Sequence, residues 1–179
     1  ERMNDLIRVI ESADSADDVF VDDKGFKFDE DGFNRAIEGA VYGRRFTRYL
    51  LLKLDYLYAD HSNRMSLEYL SVEHILPQNP KPDSQWCRDF TDTEREQWTH
   101  RLGNLVLITT RKNTAQSNRD YQDKKTSYFE KRVTTCPNSL RVLQNSKWTP
   151  VELKANHHKV LNTLRASYGF NQVEADVDE

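Results

Sequence analysis

Apolar residues recur at helical spacing near both ends of the chain and gather into short unbroken runs in its middle. In MNDLIRVIES, Met3, Leu6, Ile7 and Ile10 fall on one helical face. VFVDDKGFKF, at 19–28, reads as a short hairpin with turn chemistry in DDKG, and DEDGFNRAIE as a capped helix start. From Arg44, the stretch RRFTRYLLLKLDYLYAD repeats Phe46, Tyr49, Leu50, Leu54 and Leu57 at the spacing of a buried core helix. The middle differs. LEYLSVEHILP has strand character and runs into the loop text QNPKPDSQW. Thr93 with Glu96 offers a capping box for a short helix that Gly103 ends, and LVLI at 105–108 is a β-rich run. TTRKN is a polar turn before a helix from about Thr114 to Lys131. Near the C-terminus, Thr149, Pro150 and Glu152 form a helix start, Leu153, Val160, Leu161 and Leu164 its apolar face, and Gly169 its end.

The pattern predicts an α+β, mostly helical fold in which strand, loop, short helix, strand, turn and helix are embedded between helical segments. We divide the chain into an N-terminal helical segment with a hairpin (1–65), a core (66–132) and a C-terminal helical segment with an acidic tail (133–179). These make one compact domain. Because the first residue is Glu1 and not methionine, we expect the C-terminal part of a longer protein.

Composition narrows this picture. With 37% apolar and 31% charged residues the chain is polar but able to bury a core. No apolar run is long enough to span a bilayer. Cys87 and Cys136 stand far apart without CxxC or CxxH company, so neither a structural zinc site nor a disulfide scaffold is expected, and a reducing cytosol is. The net charge of −3 excludes a wholly basic nucleic-acid binder. Yet the charge is uneven: residues 1–40 carry 12 acids and 5 bases, whereas 99–132 carry 8 bases and 3 acids. The latter face, with Arg101, Arg111, Lys112, Arg119, Lys124 and Lys125, is the candidate surface for DNA phosphates.

Glu73 and His74, side by side just before Pro77, are the candidate chemistry. Hydrolysis of a phosphodiester needs a base, a hard cation and a group that aims the base. Histidine suits the first task, carboxylate and amide oxygens the second. His74 is the candidate base, Glu73 the carboxylate, and Asn104 and Asn113 the amides. Adjacent strand residues point to opposite faces, so Glu73 and His74 share a site only where the strand bends. His61 and the His157–His158 pair read as helix-surface residues, and His100 as a residue near enough to meet phosphate.

EHILP, then LGNLVLI, then Lys112–Asn113 before a helix resembles the ββα-metal, or HNH, endonuclease motif. EHILPQ, HRLGNLVLI, Asn113 with Ser117–Asn118, Tyr121 with Lys124, and Trp148–Thr149 together resemble the C-terminal nuclease domain of GmrSD-type restriction proteins. The resemblance is densest from Ser71 to Lys125. It implies a bacterial, cytoplasmic, metal-dependent DNA endonuclease of anti-phage defence that acts on modified or marked DNA. It makes His74 the general base and Glu73 a ligand to a single Mg²⁺ or Mn²⁺, with Asn113 as second ligand where many relatives have His. Asn104 would position the His74 loop. Tyr121 stands where the family usually has Phe, and Asn156 where relatives tend to carry Arg. An N-terminal nucleotide-hydrolysing sensor is implied as a partner; this chain has no GxxxxGK[ST] loop of its own. The alternative is a non-cleaving DNA- or partner-binding module that keeps the fold.

Overall fold

The computed structural model describes residues 2–12, 14–15, 29–60, 70–109, 118–130 and 136–170. The expected hairpin at 19–28, His61, and the turn holding Arg111, Lys112 and Asn113 lie outside these residues. The helices are α1 (Arg2–Ser12), α2 (Glu30–Glu38), α3 (Thr47–Tyr58), α4 (Gln85–Asp89), α5 (Asp92–Trp98), α6 (Tyr121–Glu130), α7 (Pro137–Leu143) and α8 (Pro150–Ser167). Strands β1 (Leu70–His74) and β2 (Leu105–Thr109) form a two-stranded antiparallel sheet. The fold is thus α+β and mostly helical.

The chain divides into two compact units, 1–36 and 37–179. In the first, Ile7 and Ile10 of α1 are exposed, and the Asp29 carboxylate accepts from the Gly32 amide at 2.8 Å as α2 starts. The second unit holds the sheet. Its register pairs Leu70 with Thr109 and His74 with Leu105. Leu105, Val106, Leu107 and Ile108 are all buried, because α3 and α7 pack on β2. That is why β2 reads as an unbroken apolar run and not an alternating one. Around it Ile75, Leu76, Trp86, Phe90, Tyr121 and Trp148 belong to one core cluster.

One local expectation shifts by two residues. The capping box of α5 is Thr91 with Glu94, not Thr93 with Glu96: Thr91 is extended, its hydroxyl accepts from the Glu94 amide, and the Glu94 carboxylate accepts from the Thr91 amide at 3.0 Å. Thr93 already lies inside the helix. At α8 the box of Thr149 and Glu152 forms as the sequence suggests, with Pro150 in the first turn. Gly169, with φ +78°, follows the end of α8.

Gly103 does more than end a helix. It sits within a 3₁₀ turn (Leu102–Asn104) against which α8 packs. Its amide donates to His157 Nδ1 at 3.2 Å and its carbonyl accepts from Asn156 Nδ2 at 2.6 Å. A Cβ there would lie 2.5 Å from His157 Cα. His157 is therefore buried, contrary to the surface position expected for the His157–His158 pair. Burial, aided by the charges of Arg101, His158 and Arg165 and opposed by a backbone hydrogen bond at Glu38, lowers its pKa to about 4.

Gly103→Ala should push α8 off the turn and cost about 1–3 kcal/mol or more; urea denaturation at wild-type stability would refute the close approach. His157 binds a proton more readily unfolded than folded, so its contribution is complete above about pH 6.5 and is lost as pH falls toward about 4. Asp55, raised by burial to about 7, works in the opposite direction, so the test is a difference. His157→Asn should lose less melting temperature than wild type between pH 7 and pH 5. Parallel curves would count against this role.

Candidate active site at the end of the first strand

β1 ends at His74, and the chain leaves strand geometry under the grip of one side chain. Asn104 is fully buried. Its Oδ1 accepts from the Leu76 amide at 2.8 Å, and its Nδ2 donates to the carbonyls of Leu76 and Thr99, each at 2.9 Å. The Ile75 amide donates to the Asn104 carbonyl at 3.0 Å. Pro77 follows at once. Glu73 and His74, the last two residues of β1, line the same cleft, about 220 Å³ in volume, with Tyr42, Gln78, Asn79 and Asn118.

Glu73 is opposed by a buried lysine. Lys124 Nζ donates to Glu73 Oε1 at 2.7 Å and to the His74 carbonyl at 2.6 Å. Burial pushes Glu73 up and Lys124 down, and their mutual attraction pulls each back toward its ordinary range. The pair fixes both the carboxylate and the strand end.

The His74 ring is held from both sides. Its Nδ1 lies 3.4 Å from Gln78 Nε2, and its Nε2 lies 3.3 Å from His100 Nδ1. Both ring nitrogens thus have a polar partner, Gln78 on one side and His100 on the other. Tyr42 packs edge-on against His74 at 4.3 Å and stacks on His100 at 5.4 Å. Burial, then the charges of His100 and Lys124, lower the His74 pKa to about 3. The ring is neutral at neutral pH, so one of its nitrogens keeps a lone pair.

Of the cations that the sequence nominates for DNA, the described ones stand in four different settings. Lys124 is buried against Glu73 and does not face solvent. Lys125 is half-buried and donates to the Asn145 carbonyl at 2.9 Å, next to the end of α7. Arg101 stacks on the Trp98 ring at 4.6 Å, and its Nε donates to the Gln97 carbonyl. Arg119 is exposed beside a second cleft of about 410 Å³ that shares Asn118 with the first. The sequence left Tyr42 and Gln78 without a role: Gln78 closes the EHILPQ motif, whereas no local signal marks Tyr42, which only the fold brings to His74.

The family model described as GmrSD restriction endonucleases, C-terminal domain, matches residues 27–162. The chain belongs to that family. The GmrSD match runs from before α2 into α8 and spans the whole cleft. It makes this chain a nuclease domain of a restriction-endonuclease family, with DNA as its substrate. No curated protein and no solved structure matches it. No helix among the described residues is long and apolar enough to cross a membrane.

Removing one partner of the buried pair leaves an unpaired charge in the interior. Lys124→Met should cost about 3–5 kcal/mol, and Glu73→Gln with Lys124→Met less than the sum of the single changes. Additive costs in a denaturation cycle would mean that the two side chains do not depend on each other.

Proposed function

We propose that this domain hydrolyses DNA phosphodiester bonds in the manner of an HNH nuclease, with His74 as general base and one Mg²⁺ or Mn²⁺ held by Glu73 and Asn113. The observation that carries this reading is the pairing, in one cleft, of a neutral His74, whose Nδ1 has only a 3.4 Å contact to Gln78, with the carboxylate of its chain neighbour. The donor set suits a hard cation. Glu73 is joined in the cleft by the amides of Gln78, Asn79 and Asn118, and Mg²⁺ takes oxygen ligands while keeping several waters. One Glu73 oxygen is engaged by Lys124, so Glu73 would hold the ion through its other oxygen, with water and phosphate completing the shell. When bound, the ion neutralises charge on the scissile phosphate and the departing oxygen.

The chain's own residues do the rest. A water entering the cleft displaces the long Gln78 contact and gives its proton to His74 Nδ1. The resulting imidazolium keeps its Nε2–H directed at His100. Tyr42 and His100 restrict the ring to that orientation, and Asn104 sets the position of the loop that carries it. Lys124 keeps the Glu73 carboxylate from swinging toward the base. We further assign the domain to a cytoplasmic bacterial protein of anti-phage defence, in which a separate nucleotide-hydrolysing domain senses marked DNA.

A second reading is supported by the Lys124 contact and by the lack of any group of three His, Cys, Asp or Glu side chains arranged for a metal among the described residues. On that reading the domain binds DNA without cutting it. Supercoiled-plasmid cleavage in Mg²⁺, Mn²⁺ or EDTA separates the two. We expect open circles or linears that need metal and fall by about 10²–10⁴-fold in His74→Ala. Cutting by His74→Ala at the wild-type rate would remove the base assignment. Titration calorimetry with Mn²⁺ that shows no binding, alongside no cutting, would favour the second reading.

A further inference from the structure

We infer that the turn from Tyr42 to Phe46 is the phosphate clamp that lays the DNA strand across the cleft, its occupant being the backbone of the strand to be cut. This rests on the reading of His74 as the cutting site.

The turn is fastened to the site by backbone and ring contacts. The amides of Val41 and Tyr42 both donate to the His100 carbonyl, at 2.9 and 3.2 Å, and Ala40 bridges to Arg101. The Tyr42 ring touches both His74 and His100. Beyond it, Gly43 takes φ +78°, and the loop closes on itself. The Arg44 amide donates to the Val41 carbonyl at 3.0 Å, and the Thr47 hydroxyl donates to the carbonyls of Val41 and Arg44. A loop held in this way has a fixed direction and presents its side chains outward.

Those side chains are basic and aromatic. Arg44 and Arg45 are exposed, and neither guanidinium has an ion pair or hydrogen bond among the described residues. Tyr42 and Phe46 remain 40% and 38% exposed beside them. Exposed aromatics interleaved with unpaired arginines are what a nucleic-acid backbone and its bases require. Arg44 and Arg45 follow Tyr42, which lines the cleft, by only two and three residues within one closed turn. By contrast, Lys124 and Lys125 are occupied inside the protein.

The test is fluorescence anisotropy of the full 179-residue chain with a labelled 20-base-pair DNA duplex in EDTA, in a His74→Ala background, from about 50 to 200 mM KCl. Arg44→Ala with Arg45→Ala should make the log–log salt slope shallower by about two, losing about tenfold less affinity over that range than the parent. Arg44→Lys with Arg45→Lys should restore the slope, and Lys159→Ala on α8 should leave it alone. Thermal melting should be unchanged in all of them. An unchanged slope in the double alanine variant, or no DNA binding by the parent, overturns the clamp. His74-dependent plasmid cutting together with an unchanged slope would remove the clamp while the nuclease stands. A lost slope with His74-independent cutting would keep the clamp and remove the base.

Discussion

The Asn104 carboxamide is the contact on which the site depends. A chain that leaves a strand inside a core exposes an amide and a carbonyl that must find partners, and an unmet pair costs several kcal/mol. Asn104 meets both groups of Leu76 and a carbonyl at Thr99 with a single buried side chain. The chain bends directly after Glu73 and His74, and both residues line one cleft. Asn104 is itself held, because the 3₁₀ turn that carries it is hydrogen-bonded to α8 through Gly103. Three segments distant in sequence thus converge on one bend.

Charge in this domain is spent inward. Burying Lys124 and Glu73 is unfavourable for each alone, and the pair is tolerated because the geometry is short and the ammonium is also bonded to the His74 carbonyl. The outcome is a carboxylate with a fixed orientation beside a histidine that burial keeps neutral. A cation diverted to the interior cannot meet phosphate, whereas Arg44, Arg45 and Arg119 are exposed. Tyr42, ahead of Arg44 and Arg45, and Asn118, ahead of Arg119, both line the cleft.

Much of the fold was legible because its signals are local. The unbroken run at 105–108, the Thr149–Pro150–Glu152 start and the acid–histidine pair before Pro77 each depend on residues within one or two turns. What was displaced is equally instructive. The capping box moved from Thr93 to Thr91, since both threonines precede a glutamate by three residues and only the approach of the chain from Phe90 chooses between them.

The sequence by itself determined the helical and strand-forming segments, the chemical types present at the strand end, and the family pattern that links them. Only the tertiary structure decided which histidine of His157–His158 is buried, which lysine of Lys124–Lys125 pairs with Glu73, and that Tyr42 stands over His74. The reason is physical. Neighbours on a helix have nearly the same local propensity, so their fates differ only through the surface each one meets. That surface is built by residues 50 or more positions away.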